Sequence, residues 1–232
     1  MHSIYQLLDL TNLKQDVTTA DILKLVDEGK HHQVASLCVW PHDLGKIPAD
    51  CQLQKTTVVN FPSGTQELAL VLTEIDAVLQ QFPGTEIDYV FPYTSYLRGE
   101  HEQAIVHCQK VVDYCHHRDS RIKVIMETGA FLNETSIFNA ARKILKTGCD
   151  FLKTSSGKIE IGATPQAVAA ICDAINNCGT DTGIKVSGGI KTIKQANDYL
   201  SLIQNKLNIP LSPKRIRLGC SQLDVSTNES HY

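Results

Sequence analysis

Eight short apolar runs recur along the chain, and longer amphipathic stretches separate most of them. Each run has the length of a buried strand. The runs span residues 4–10, 34–39, 56–61, 86–91, 122–127, 150–154, 183–187 and 215–219. Within 66–81, apolar residues recur at the spacing of one face of a helix, and 135–146 and 165–176 share this period. Thr18 and the pair Thr164-Pro165 have the residue types that begin helices.

This repeated alternation of strand and helix predicts a parallel sheet. Eight such units in 232 residues, with no linker between them, favour an α/β fold of the (β/α)8 TIM barrel type, as a single domain over residues 1–221. We expect the polar tail 222–232 to be mobile. A doubly wound sheet is the alternative. However, the segment after Phe61 reads PSGTQ, which is a turn, and no GxGxxG segment follows a strand.

Charge and composition exclude several classes of protein. The formal net charge of −3 gives no basic field for nucleic acid or an anionic membrane. No apolar run reaches the roughly 20 residues of a membrane helix, and the N-terminal residues do not read as a signal peptide. The eight cysteines lack CxxC spacing, which predicts reduced, mostly buried thiols in a cytoplasmic protein. His31-His32 and His116-His117 lie in polar stretches that we expect to be loops, and they lack metal-ligand spacing, so we expect no metal site.

In a barrel of this kind, catalytic side chains belong at the C-terminal ends of the strands. Successive strand residues point to opposite faces. In the fourth run, aromatic and branched residues alternate with Glu86 and Asp88, so Asp88 should face the barrel interior. The same alternation places Lys123 and Glu127 on one face of the fifth run, and Lys153 at the end of the sixth.

Lys153 ends an apolar run, and a lysine on a buried strand is rare because burying its charge is costly. Two interpretations compete: a structural ion pair with Asp88 or Glu127, or an amine neutral enough to attack a carbonyl. Lys185 ends the next run and should therefore lie beside Lys153. Lowering a lysine pKa from about 10.4 to about 7 takes roughly 4.6 kcal/mol, which a neighbouring cation in a desolvated site can supply. The lysine pair favours catalysis, and Asp88 would then move protons.

Three glycine-containing loops follow the last three runs. Backbone N–H groups at glycines can approach an anion, and phosphate sites in barrels recur after strands seven and eight. With two lysines among them, the loops predict a phosphate site. The candidate residues are Thr154, Gly157, Lys158, Gly188, Gly189, Lys191, Gly219 and Ser221. The lone Trp40 either walls the substrate pocket or caps the barrel.

The motifs resemble the deoxyribose-phosphate aldolase family along nearly the whole chain. The matching segments are LLDLTNL, ASLCVWP, VVNFPSG, EIDYVFPY, IKVIMETG, GCDFLKTSSGK, GIKVSGGIKT and RLGCS. DFLKTSSGK followed by GIKVSGGIKT, at this spacing, is highly specific. The resemblance implies a (β/α)8 barrel that cleaves 2-deoxy-D-ribose 5-phosphate to D-glyceraldehyde 3-phosphate and acetaldehyde. It also implies that the reaction needs no metal or organic cofactor.

The same resemblance implies roles for particular residues. Lys153 would be the Schiff-base lysine, Asp88 the proton-transfer aspartate, and Lys185 the second lysine, which perturbs Lys153 and joins the proton relay. The residues implied to line the substrate pocket or to hold phosphate are Asp9, Thr11, Cys38, Gly157, Lys158, Gly188, Gly189 and Ser221. Lys123 is a further candidate for substrate contact. Tyr232 matches a mobile terminal tyrosine that assists proton transfer in some members.

The chain also departs from the family. Gln222 stands where many members have a second serine, and Lys191 replaces a common arginine, which keeps the charge but loses bidentate geometry. Two rivals stay open: another lysine-dependent lyase or transaldolase-like barrel enzyme, and a catalytically silent phosphosugar-binding protein. An isomerase is less favoured because such enzymes generally use a Glu/His pair. We expect a phosphorylated sugar as partner, no nucleic acid and no membrane, with a homodimer as one option for the assembly.

Overall fold

The computed structural model describes residues 3–221, whose parallel strands form a closed barrel in chain order. The strands are β1 (Leu8–Asn12), β2 (Ser36–Val39), β3 (Lys55–Val59), β4 (Glu86–Val90), β5 (Ile122–Ile125), β6 (Phe151–Lys153), β7 (Gly183–Ser187) and β8 (Ile216–Cys220). Each strand pairs with the next, and β8 pairs with β1. The predicted barrel is confirmed. A doubly wound sheet is excluded, because it would leave two strands at open edges.

Helices connect most of the strands on the outside of the barrel. The described α-helices are α1 (Thr19–His32), α2 (Leu68–Gln81), α3 (Tyr93–Leu97), α4 (His101–His116), α5 (Glu134–Leu145), α6 (Pro165–Cys178) and α7 (Ile193–Leu207). The predicted helix starts are confirmed: Thr18 Oγ1 accepts the N–H of Asp21 at 3.2 Å, and Thr164 Oγ1 accepts the N–H of Ala167 at 3.1 Å. These caps satisfy amide groups that the first helical turn leaves free.

Two local expectations were wrong. The first apolar run is a strand only from Leu8 onward, because Ile4–Leu7 form a 3-10 turn that leads into the barrel. The two histidine pairs do not lie in loops. His31 and His32 end α1, and His116 ends α4, where a basic group favours the negative end of the helix dipole.

The barrel wall has two chemically different faces. Its outer face is apolar and packs against the helices in one hydrophobic core. The wall residues in that core include Ile87, Tyr89, Ile122, Val124, Leu152, Ile184, Val186, Ile216 and Leu218. Its inner face carries a set of buried charged groups, namely Asp9, Glu86, Asp88, Lys123, Lys153, Lys185 and Arg217. The alternation predicted from the sequence therefore sorts the two kinds of side chain onto opposite faces.

Some expectations concern the whole chain. Cys178 is half-buried and the other seven cysteines are buried, which confirms the prediction that the thiols are mostly buried. Between residues 3 and 221, no helix combines the length and apolar character required to cross a bilayer. The predicted tail 222–232, with Gln222 and Tyr232, lies outside the described residues.

Candidate active site

Three of the four residues predicted to be catalytic, Lys153, Lys185 and Asp88, meet inside the barrel, and the fourth, Tyr232, lies outside the described residues. Lys153 ends β6, whereas Lys185 lies in the middle of β7 and not at its end as predicted. The two lysines are register partners, so their side chains lie side by side. Each Nζ lies 2.7 Å from Oδ2 of Asp88, which points inward from β4. Asp88 and Lys185 are fully buried, whereas Lys153 is 4% exposed. Lys153 is therefore in an ion pair and also reaches the open end of the barrel.

The two lysines differ in the direction of their pKa shifts. Burial lowers the pKa of Lys153, the Asp88 carboxylate opposes that effect, and the Lys185 ammonium adds to it. Burial also disfavours the Lys185 ammonium, but Asp88 and Asp9 outweigh it and raise the pKa of Lys185. The predicted direction for Lys153 is confirmed. Both predicted causes act, and desolvation contributes more than the neighbouring cation.

Asp88 is the carboxylate that joins the lysines. Burial alone would raise its pKa, but the ammonium groups of Lys123, Lys153 and Lys185 outweigh burial and hold the pKa of Asp88 far below its usual range. Asp88 is thus ionised in the resting site and can only accept a proton. Lys185, which keeps its proton, is the matching donor.

Asp9 and Lys123 support this arrangement from β1 and β5. Asp9 Oδ2 lies 2.5 Å from the Nζ of Lys185. Lys123 Nζ lies 3.1 Å from Asp88 Oδ1 and 2.6 Å from Glu86 Oε2. Burial raises the pKa of Asp9, but Lys185 and the other nearby cations outweigh it and lower that pKa well below its usual value. Both residues are fully buried, so substrate contact, which the sequence suggested for each, is less favoured than support of the lysines.

Glu86, Thr56 and Arg217 belong to the same buried network, and sequence reasoning assigned none of them a role. Thr56 Oγ1 accepts from Lys123 Nζ at 3.3 Å, and Arg217 contacts the carboxylates of both Asp9 and Glu86. A signal for Glu86 was present, because alternation placed it on the face of Asp88. Arg217 lies two residues before Gly219 on β8, so strand alternation places both on the inner face. That pattern could have identified Arg217 as an inward-facing charge.

The remaining pocket candidates surround the upper end of the barrel. Cys38 is fully buried, and burial raises the pKa of its thiol. Thr11 is half-buried and donates its hydroxyl to the carbonyl of Asp9 at 2.8 Å. Trp40 donates its indole N–H to the Lys14 carbonyl at 2.9 Å and stacks edge-on against Phe61 at 5.4 Å. These contacts fit Trp40 as a cap on a loop of the barrel.

The glycine loops after β6 and β7 lie directly against each other. Gly157 and Gly188 have φ of 77° and 90°, a region that favours glycine, and a Cβ on Gly157 would lie 3.8 Å from the Gly188 Cα. A Cβ on Gly162 would lie 2.3 Å from the Gly188 carbonyl oxygen, so the two backbones could not approach if Gly162 had a side chain. The loops thus form one compact backbone surface beside Lys153.

Side chains in these loops also fix the loop structure. Thr154 Oγ1 donates to the Ser187 carbonyl at 2.9 Å, and Ser187 Oγ donates to the Ser155 carbonyl at 2.6 Å. Glu127 accepts from the Ser156 N–H at 3.1 Å, and burial raises the pKa of this carboxyl group. Thr154 is fully buried and its hydroxyl is occupied, so it joins the loops together.

The other phosphate candidates lie at the rim. Gly189 and Ser221 are exposed, and Lys191 is exposed just before α7. Lys158 Nζ donates to the Leu13 carbonyl at 3.2 Å, which ties its loop to the loop after β1. Gly219 differs, since a Cβ there would lie 3.0 Å from Lys185 Cε; this glycine leaves room for the lysine.

This arrangement suits one kind of chemistry. A lysine whose pKa is lowered can attack an aldehyde, and the ionised Asp88 and protonated Lys185 supply a base and an acid within hydrogen-bonding reach. The glycine loops and exposed lysines beside it offer backbone N–H groups and positive charge to an anionic substituent.

Comparison with known proteins agrees with this geometry. A model of the DeoC/LacD family aldolases matches residues 4–207. A protein of Agrobacterium fabrum named deoxyribose-phosphate aldolase is 34% identical over 222 residues, which cover 93% of this chain and 85% of that protein.

Solved structures show the same fold. One from Coccidioides immitis, described as a deoxyribose-phosphate aldolase, is 25% identical with a TM-score of 0.81 and covers 94% of this chain and 81% of its own. The deoxyribose phosphate aldolase of Aeropyrum pernix, described as tetrameric, is 21% identical with a TM-score of 0.77, covering 94% and 86%. At that lower identity the likeness shows the fold alone.

Proposed function

The chain belongs to the DeoC/LacD family of aldolases, and we propose that it cleaves 2-deoxy-D-ribose 5-phosphate reversibly to D-glyceraldehyde 3-phosphate and acetaldehyde, with Lys153 as the Schiff-base lysine. The observation that carries the proposal is the contact of Lys153 with Asp88 beside Lys185, at 2.7 Å from each Nζ to Asp88 Oδ2, together with the lowered pKa of Lys153. The name of the Agrobacterium relative supports the choice of substrate.

The reaction begins when the neutral Lys153 amine attacks the C1 aldehyde of the open-chain sugar. Lys185 gives a proton to the oxygen as the carbinolamine forms and loses water, which leaves an iminium ion. The iminium withdraws electrons from C2. Asp88, acting through a water molecule, accepts the proton of the C3 hydroxyl while the C2–C3 bond breaks. The bonding electrons move into the iminium, so glyceraldehyde 3-phosphate departs and an enamine remains on Lys153.

The second half of the reaction returns the enzyme to its starting state. The enamine carbon takes up the proton that Asp88 accepted from the C3 hydroxyl and becomes the iminium of acetaldehyde. Water, equivalent to the molecule lost earlier, adds to this iminium and releases acetaldehyde from Lys153, and the proton set free in this hydrolysis returns to Lys185. Because the iminium is the electron sink, the proposal requires neither a metal nor an organic cofactor, and a chelator should leave turnover unchanged.

The substrate phosphate would occupy the rim beside the glycine loops. Gly188, Gly189 and the start of α7 offer backbone groups there, and Lys158 and Lys191 offer charge. The phosphate would hold the aldehyde end of the sugar toward Lys153, in the depth of the barrel. Binding energy at the phosphate would then orient the reacting carbon.

Two further proposals concern the environment of the enzyme. The mostly buried cysteines, which lack CxxC spacing, support a reducing, cytoplasmic location. A homodimer is our proposal for the assembly, supported by exposed apolar side chains at Leu132, 92% exposed, and Leu97, 43% exposed. Light scattering on the purified protein tests the assembly, and a monomeric mass at micromolar concentration would overturn it.

Trapping and turnover together test the proposed reaction. Acetaldehyde with borohydride should add an ethyl group to Lys153, identified by peptide mass spectrometry, and 2-deoxy-D-ribose 5-phosphate should release glyceraldehyde 3-phosphate in a coupled assay. Lys153→Met should abolish both signals. Lys194→Met removes an exposed lysine of α7 and serves as the matched control that keeps both.

Each of the other outcomes would point to a different function or mechanism for this chain. Labelling of Lys153 with turnover of a different aldose phosphate would indicate another lysine-dependent lyase. Labelling without turnover of any phosphorylated sugar would indicate a silent binding protein. Turnover that persists in Lys153→Met would refute the proposed mechanism.

A further inference from the structure

The charged side chains inside the barrel form a closed ring in which positive and negative groups alternate. Three cations and three carboxylates take part. In order around the ring they are Arg217, Asp9, Lys185, Asp88, Lys123 and Glu86, which returns to Arg217. We call these six residues the charge ring. All are at most 4% exposed, so water screens them little.

One arm of the ring connects Arg217 to Asp88 through Asp9. Arg217 Nη1 lies 2.5 Å from Asp9 Oδ1, and Asp9 Oδ2 lies 2.5 Å from Lys185 Nζ. Lys185 Nζ then lies 2.7 Å from Asp88 Oδ2. Asp9 thus contacts Arg217 through Oδ1 and Lys185 through Oδ2, which fixes its orientation from both sides. Oδ2 also lies 3.6 Å from Lys123 Nζ, a longer contact across the ring.

The other arm connects Arg217 to Asp88 through Glu86. Arg217 Nη2 lies 3.3 Å from Glu86 Oε1, and Lys123 Nζ lies 2.6 Å from Glu86 Oε2. Lys123 Nζ also lies 3.1 Å from Asp88 Oδ1. The two nitrogens of one guanidinium therefore contact both arms, so the positive charge of Arg217 balances the carboxylates of Asp9 and Glu86.

Lys153 is attached to this ring but is not a member of it. Its contact is Oδ2 of Asp88, at 2.7 Å, an oxygen that Lys185 already shares. The ring is neutral as it stands, with three charges of each sign, and a protonated Lys153 would add a positive charge to it.

We propose that Arg217 is a positioning residue for the Lys153 reaction: by closing the charge ring, it makes Lys153 the surplus cation of the barrel interior. The inference rests on the proposed function for its catalytic meaning, but the state of the Lys153 amine can be measured without aldehyde. Arg217 contacts Asp9 and Glu86 and acts on Lys153 through these two carboxylates.

Other titratable or charged groups lie near Lys153 or the charge ring and could also influence the Lys153 amine. Cys38 on β2 and Glu127 after β5 both lie within electrostatic range of Lys153. Arg121 Nη1 lies 3.3 Å from Glu86 Oε1 at the exposed end of the barrel. Cys38 and Glu127 are unchanged in every variant below, so their contribution cancels between variants, whereas Arg121 loses a carboxylate partner wherever Glu86 is replaced by Gln.

The test measures amine reactivity of Lys153 against pH in three variants. Arg217→Met removes one positive charge and leaves the ring with a net charge of −1. Glu86→Gln removes one negative charge and leaves a net charge of +1. The double variant Glu86→Gln/Arg217→Met is neutral again. Trace acetylation with acetic anhydride, read on the Lys153 peptide by mass spectrometry, reports the fraction of free amine.

The expected shifts have opposite signs. Lys153 becomes reactive as its ammonium group loses a proton, and the rise of reactivity with pH is the acid limb of the profile. In Arg217→Met this limb moves to higher pH by about one unit, because a net negative ring favours the ammonium form. In Glu86→Gln the limb moves down by a similar amount. In the double variant it returns to within about 0.3 pH units of the wild type. Arg217→Lys keeps the charge and serves as the matched control, with a limb near that of the wild type.

A residue that merely supports packing would give another result. Shifts of the same sign in both single variants, or no shift in Glu86→Gln, would overturn the inference, and Glu86→Gln decides this even if Arg217→Met fails to fold. Acetaldehyde trapping on the wild type separates the two proposals. If Lys153 is not trapped while the opposite shifts appear, the proposed function falls and the role of the ring stands.

Discussion

The inner and outer faces of the barrel wall are built from the same strands, yet they carry opposite chemistry. On β6, Leu152 faces the helices within the apolar core, and the next residue, Lys153, faces the charged interior. On β7, Ile184 and Lys185 show the same division. TIM barrels usually fill their interior with layers of branched apolar side chains. Here buried ion pairs occupy part of that space.

This difference separates stability from function. Burying an aliphatic side chain on the outer face contributes about 1.5–3 kcal/mol. Buried ion pairs contribute little net stability, because desolvation offsets most of their attraction, although breaking one of them is costly. We therefore expect outer-face variants to change stability and inner-face variants to change reactivity. Neighbouring residues of one strand test that expectation directly.

The largest effect should come from Lys153→Met on the inner face. Turnover of 2-deoxy-D-ribose 5-phosphate should fall by about 10,000-fold or more, since the covalent step is lost. The melting temperature should stay near that of the wild type, because the variant removes a surplus buried cation. Calorimetry and the coupled assay measure the two quantities, and a collapse of stability would mean that Lys153 holds the barrel together.

Asp88→Asn should lower turnover by about 100- to 1,000-fold, because it removes the proposed base. It also removes the carboxylate that opposes the lowering of the Lys153 pKa, so that pKa should fall further. Acetaldehyde trapping at Lys153 should therefore persist at neutral pH while turnover is lost. Loss of both together would show that Asp88 is needed to form the imine rather than to cleave the carbon–carbon bond.

Leu152→Ala is the outer-face partner of Lys153→Met. It should lower the free energy of unfolding by about 2–5 kcal/mol, because it leaves a cavity between the wall and the helices. Turnover per folded molecule and its pH profile should remain those of the wild type. Denaturant titration and an active-site titration by trapping measure these, and a shifted pH profile would show that the two faces are coupled.

Lys191→Gln at the rim should have the smallest effect. The Michaelis constant for the phosphorylated sugar should rise by about 5- to 10-fold, because an exposed charge contributes modestly to anion binding. The Michaelis constant for unphosphorylated 2-deoxy-D-ribose should not change. Lys194→Gln, on the same helix region, is the control, and equal effects of the two variants would place the phosphate elsewhere.

The sequence was sufficient to predict the fold and to bring the candidate residues Asp88, Lys153 and Lys185 together. Alternation on β4 alone turned Asp88 inward, and the eight strand–helix units predicted closure. The start of β1 was misjudged because apolar residues at 4–7 fit a strand and a 3-10 turn equally well over so short a run. The position of the histidine pairs at helix ends was missed, because polar residues are common both in loops and in the last turns of helices.

The charge ring could not be predicted in the same way. Alternation gives the face of Glu86 or Arg217, but closure of the ring depends on side-chain reach across the barrel, from β8 to β4. The sequence also could not show which cause contributes most to the lowered pKa of Lys153. A register argument places Lys185 beside it, whereas desolvation, the larger influence, requires knowledge of the packing around both.

The central claim is that the two neighbouring lysines differ in charge state. An NMR titration of isotope-labelled lysine side chains, with signals assigned by Lys153→Met, measures it directly. We predict that Lys153 titrates below the ordinary lysine pKa of about 10.4 and that Lys185 stays protonated beyond it. Titration of both groups together near the ordinary value, or a lowered pKa at Lys185 instead, would contradict the account.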